Sequence, residues 1–121
     1  MSAPIRHMTI EEMERLALER AVEDFTGLWE LAWDFDARFP GRGDDVVPNA
    51  RKAIDDLLER GWVSLYRGVR FDGDQVAVPS TEAKRLLARK ESWQEPAPSE
   101  VQLRIGATPK GELAYRGPNG P

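Results

Sequence analysis

At Gly61 the chain changes its period. Before it, Val47, Ala50, Ile54, Leu57 and Leu58 recur at steps that place them on one face of a helix; after it, residues 62–67 are β-branched and aromatic enough for a strand. Gly61 is the residue type that ends a helix in the left-handed conformation. Further on, "VQLRI" sets Val101, Leu103 and Ile105 on one face and Gln102 and Arg104 on the other, a second strand near 101–105 that can pair antiparallel with the first. With 121 residues, 40% of them hydrophobic, there is enough for one core and too little for two. The expectation is a single α+β domain over residues 1–115 with a flexible tail at 116–121.

The segment before Gly61 predicts three helices. Thr9 and Glu12 form a capping box that starts the first near Ile10. Apolar residues then recur in steps of three and four from Ile10 to Phe39. One rod of that length would run to about 45 Å, wider than the domain, so a break is expected at Asp24, Thr26 and Gly27. The reading is helices over 10–22 and 25–38, stopped by Phe39-Pro40-Gly41, and a third over 47–60 with Asp44 or Asp45 as cap and Pro48 in its first turn. Between the strands, Asp72-Gly73 signals a turn, Ser80 caps a helix over 80–92 with Ala83, Leu86 and Leu87 inward, and "QEPAPSE" reads as an extended linker.

Helix, glycine and strand, followed by a second strand that ends in "ATPKGELAY", resembles the winged helix-turn-helix domain of MarR-like and PadR-like regulators. There a wing strand runs into a Thr-Pro-x-Gly helix start, matched here by Thr108, Pro109, Lys110 and Gly111. The resemblance covers about residues 25–115. It implies an α+β, winged-helix-like fold in which helix 47–60 takes the recognition position and residues 66–104 the wing, elaborated by an inserted helix. "RFPGRGDDVVP" stands where the family has a short positioning helix and a tight turn, so that helix is expected to be missing or rearranged. The long C-terminal dimerisation helix of MarR-like proteins is not expected either.

Charge bears on what such a fold binds. The net charge is −4, with 14 acids and 8 bases in residues 1–60 against 7 and 9 in residues 61–121. Possible nucleic-acid contacts are Arg42, Asn49, Arg51, Lys52, Arg67 and Arg70, yet Arg51 and Lys52 each have an acid four residues on, Asp55 and Asp56. Carboxylates at 55, 56 and 59 oppose the counterion release that drives non-specific DNA affinity, so DNA binding is expected to be weak. Trp29 and Trp33 lie one turn apart on a flank that Leu18 and Val22 prolong, a possible interface for an unknown protein or a second copy. Trp62 and Trp93 are expected at core edges, Trp62 under the sheet and Trp93 anchoring the inserted helix against it.

Catalysis finds little footing. The sole histidine, His7, precedes the first helix, and there is no cysteine for a nucleophile, disulfide or thiolate metal site. Asp72-x-Asp74 lacks the ligand number of a calcium loop, Gly41-x-Gly43 lacks the rest of a phosphate fingerprint, and acids such as Asp34 and Asp36 cannot be singled out. No cofactor or metal is expected. Short apolar runs and the absence of a leader pattern in "MSAPIRHMTIEE" point to a cytoplasmic chain with no membrane segment. The expected role is a non-catalytic binding or regulatory module that engages a protein, with a DNA-binding transcriptional regulator as the alternative.

Overall fold

The computed structural model describes residues 9–38, 43–69, 73–97 and 99–117. The elements run α1 (Ile10–Glu23), β1 (Thr26–Gly27), α2 (Leu28–Arg38), α3 (Gly43–Glu59), β2 (Val63–Gly68), β3 (Val76–Ala77), α4 (Ser80–Leu87), a 3-10 turn (Lys90–Trp93), β4 (Gln102–Ala107) and α5 (Pro109–Arg116). The helices pack on one four-stranded antiparallel sheet of order β1-β4-β2-β3. The fold is α+β, with α4 and the 3-10 turn inserted between β3 and β4.

Local chemistry accounts for the helix ends. The capping box closes α1, with Glu12 N–H donating to Thr9 Oγ1 and Thr9 N–H to Glu12 Oε1, each at 3.1 Å. Gly61, at φ +73°, ends α3: its N–H donates to Leu58 O and that of Trp62 to Leu57 O, a Schellman motif that turns the chain into β2. At the same end of the sheet Thr108 repeats the logic for α5. Its Oγ1 accepts from Gly111 N–H at 3.0 Å and donates to Gly61 O at 2.6 Å, while its own N–H donates to Trp62 O at 2.9 Å. Thr-Pro-x-Gly is thus a latch between the start of α5 and the corner at Gly61.

The core lies between the helices and the inner face of the sheet. Leu28, Leu31 and Phe35 of α2 and Ala50, Ala53, Ile54 and Leu57 of α3 meet Val63, Leu65 and Ile105 there. Strand register pairs Leu65 with Ile105 and Tyr66 with Arg104. Side chains therefore alternate: the former pair faces the core and the latter the opposite side. On that outer side Phe25 meets Tyr66 edge to face at 5.0 Å above Gly106, where a Cβ would lie 2.8 Å from the Phe25 ring. Arg104, only 2% exposed, donates to Gly68 O, Gln75 Oε1 and Gln102 Oε1, fastening the β2-β3 end to β4.

Several boundaries differ from the sequence reading. Residues 26–27 are strand rather than helix, because pairing with Ile105 and Arg104 outweighs the helical spacing of their neighbours. Strand β4 is shifted to 102–107, leaving Val101 outside it and 56% exposed. Helix α3 starts at Gly43, so Pro48 lies inside the helix; its fixed φ suits that geometry at the cost of one backbone hydrogen bond. The helix expected over 80–92 divides at Ala88 into α4 and the 3-10 turn, and Ser80 is a helical residue behind Pro79. Helix α2 ends at Arg38 and α3 begins at Gly43, so the connection is shorter than the "RFPGRGDDVVP" segment read as standing where a positioning helix is missing or rearranged.

Candidate functional site

Two surfaces carry the functional expectations: the outer face of α3 with the wing, and the flank of α2. On α3, Arg51 is exposed and makes no ion pair among the described residues, so the expected Arg51–Asp55 contact does not form. Asp55 is instead half-buried, with Oδ1 shielded from solvent. Lys52 Nζ lies 3.0 Å from Asp56 as the spacing predicts. Arg67 of β2 pairs with Glu82 of α4, and Lys84 of α4 reaches Glu59 of α3 at 2.7 Å. The inserted helix is therefore tied to both the end of α3 and β2, and it takes up their charges. Asn49 is half-buried; Arg42 and Arg70 lie outside the described residues.

These ion pairs set directions of titration. The Lys84 ammonium holds Glu59 below its ordinary 4.5, and Glu59 in turn holds Lys84 above its ordinary 10.5. A depressed acid contributes stability that is present above its unfolded pKa and lost as pH falls through the folded one; a raised lysine contributes stability present below its unfolded pKa and lost as pH rises through the folded one. The α3–α4 bridge is consequently intact between pH 4.5 and 10.5 and opens outside that window. Thermal midpoints measured against pH should show wild type above Lys84→Met inside the window. The gap should close at lower pH, and a gap that widens there contradicts the assignment. Both groups are solvent-exposed, so the difference is small and shrinks with salt.

A second charged contact ties α1 to the end of α3. Glu14, 9% exposed, accepts from Arg60 Nη1 at 3.1 Å, while the Arg60 guanidinium lies 5.0 Å over the Trp62 ring. Burial, and a hydrogen bond with Asp56, push Glu14 up, whereas Lys52 first and Glu14 second hold Asp56 down. The Glu14–Arg60 pair is a packing contact between α1 and the end of α3. Among the described residues no group of His, Asp and Glu is placed to hold a metal ion, and no helix is long and apolar enough to cross a membrane.

The α2 flank is different in kind. An open groove of about 850 Å³ runs between α2, the start of α3 and the 3-10 turn, lined by Trp29, Ala32, Trp33, Val47 and Trp93. Trp33 is 72% exposed, whereas Trp93 forms a buried wall whose indole N–H donates to Leu87 O at 2.9 Å. Trp29 is half-buried against Gly27, and its indole N–H is shielded with no hydrogen-bond partner among the described residues. Such a shielded donor costs about 1–3 kcal/mol unless an acceptor reaches it.

Acids edge the groove. Glu30, Asp34, Asp36 and Glu95 line it with, among the described residues, a single base, Arg20. Arg20 is spent on Asp34 at 3.2 Å, which Arg38 also approaches at 3.6 Å. Glu30 accepts from Gly27 N–H, and Asp36 and Glu95 make no ion pair among the described residues.

Of the residues expected at an interface, Leu18, Val22, Trp29 and Trp33, the fold brings only the two tryptophans to the groove. Leu18 is 5% exposed in the core, and Val22 is packed against that core, because α1 turns this side toward its neighbours; neither residue lines the groove. Trp29 and Trp33 do line it, joined by Trp93 and Glu95 from the insertion. Those two could not be found by local spacing, since the fold brings them from more than fifty positions away. Comparison with protein-family models, with curated proteins and with solved structures finds no match.

Proposed function

We propose that this chain is a non-catalytic, winged-helix-like regulatory module of the cytoplasm that binds another protein through the α2 groove. The observation that carries the reading is Trp33, 72% exposed beside Trp29 and a buried Trp93. Large aromatics left open in a concave apolar surface are what the centre of a protein interface uses. The contrasting surface supports the same choice. Lys52, Arg67 and Lys84 are held by Asp56, Glu82 and Glu59, and each pair must be broken before its base can serve a phosphate.

A DNA-binding transcriptional regulator is the second reading, favoured by Arg51, which is exposed on α3 without an ion pair among the described residues. Fluorescence anisotropy with labelled duplexes separates the two. Under the protein-binding reading, affinity is weaker than about 10 μM at physiological salt and equal for all sequences. Nanomolar binding to one sequence, with large discrimination over random DNA and loss in Arg51→Ala, would make the regulator the correct assignment.

A further inference from the structure

The chemistry of the α2 groove narrows its occupant. We infer that it receives a basic peptide segment of a partner protein, with an apolar side chain seated between Trp29 and Trp33 and lysines or arginines over the acidic edge. The inference rests on the protein-binding reading above and adds the class of partner. Three acids of the groove, Glu30, Asp36 and Glu95, have no cation facing them among the described residues, because Arg20 and Arg38 are both engaged by Asp34. An apolar floor with an uncompensated negative rim is complementary to an apolar anchor flanked by positive charge. The exposed indole of Trp33 adds a ring face on which an arginine or lysine head can rest.

Charge also excludes the other obvious occupant. A second copy docked symmetrically would present the same patch to itself. Glu30, Asp36 and Glu95 would then face their own equivalents across the interface, a like-charge arrangement that opposes association. A basic peptide meets no such penalty. It also brings backbone carbonyls, one of which could serve the shielded Trp29 N–H after a small rotation of the ring.

The test uses three labelled peptides of about fifteen residues. The first is an amphipathic helix former with leucines at i, i+3, i+4 and i+7 and lysines elsewhere; the second replaces lysine with glutamate; the third keeps the lysines and replaces leucine with serine. Anisotropy against the full chain should give micromolar binding of the first, with the second and third weaker by about tenfold or more. Trp33→Ser should weaken the first peptide by about tenfold, and Asp36→Asn with Glu95→Gln should both weaken it and flatten its salt dependence. Equal binding of the acidic peptide overturns the basic class while leaving the protein-binding reading standing. So does a dimer by sedimentation that binds no peptide and becomes a folded monomer in Trp33→Ser. Absence of peptide binding together with nanomolar, sequence-selective DNA binding overturns both. Unchanged affinity of the basic peptide for Trp33→Ser places its site elsewhere and also overturns the proposal.

Discussion

Gly111→Ala is expected to destabilise the fold by about 3 kcal/mol, a larger loss than any exposed substitution and enough to lower the melting temperature by about 10 °C. A Cβ at this position would lie 1.9 Å from Trp62 O and 2.7 Å from Trp62 C, both backbone atoms. No rotamer change relieves such an overlap; α5 or the Gly61 corner must move. Movement is opposed by the Thr108 latch, since Trp62 O is the acceptor of Thr108 N–H and Gly61 O that of Thr108 Oγ1. Alanine in a helix is intrinsically better than glycine by about 1 kcal/mol, so a site free of this contact would gain stability. The sign of the measured change therefore decides the matter. Thermal melting should show a lowered midpoint, and hydrogen exchange should show α5 losing protection first. A variant as stable as wild type would mean that α5 does not sit against Trp62.

The same contact explains what was legible in the sequence. Thr-Pro-x-Gly and the glycine after α3 were visible as two short signals; the fold joins them into one corner, with Gly61 at φ +73° and Gly111 pressed on its neighbour. Strongly periodic helices were legible too, because Thr9 and Glu12 or the stripe from Ala50 to Leu57 need no tertiary information. Strands β1 and β3 were not. Each has two residues, too few to show an alternation, and each exists only through its partner strand.

Charge was legible in one case and not in the next. The spacing of four predicted both Lys52–Asp56 and Arg51–Asp55, and only the first forms, because α3 turns Asp55 partly inward. Glu82 and Glu59 as partners of Arg67 and Lys84 depend on where the insertion lies, which no local pattern states. The groove repeats the lesson. Trp29 and Trp33 could be read as a flank, but Trp93 and Glu95 complete it only once the chain has folded back.

Trp93→Ala should carry the other large effect, about 3–5 kcal/mol, the usual range for removing a buried aromatic side chain. The ring is 5% exposed and sits where the 3-10 turn meets α2, and its N–H closes onto Leu87 O at the end of α4. Alanine removes the wall of the groove and also leaves the Leu87 carbonyl without that donor. The insertion has few other anchors: Ala83, Leu87 and Val78 are buried, whereas the Lys84–Glu59 and Arg67–Glu82 pairs are exposed enough for water to compete with them. Hydrogen exchange should therefore report a loss of protection in α4 and the 3-10 turn before α1 and α3 respond. Trp93→Phe, which restores a ring but not the donor, should recover roughly half of the loss. The control is Trp33→Ser: that ring is 72% exposed, and its removal should cost less than about 0.5 kcal/mol. If urea melts rank Trp33→Ser as the more damaging of the two, the tryptophans have exchanged roles. Trp33 would then belong to the core, and the α2 groove would lose the exposed aromatic on which its binding function is argued.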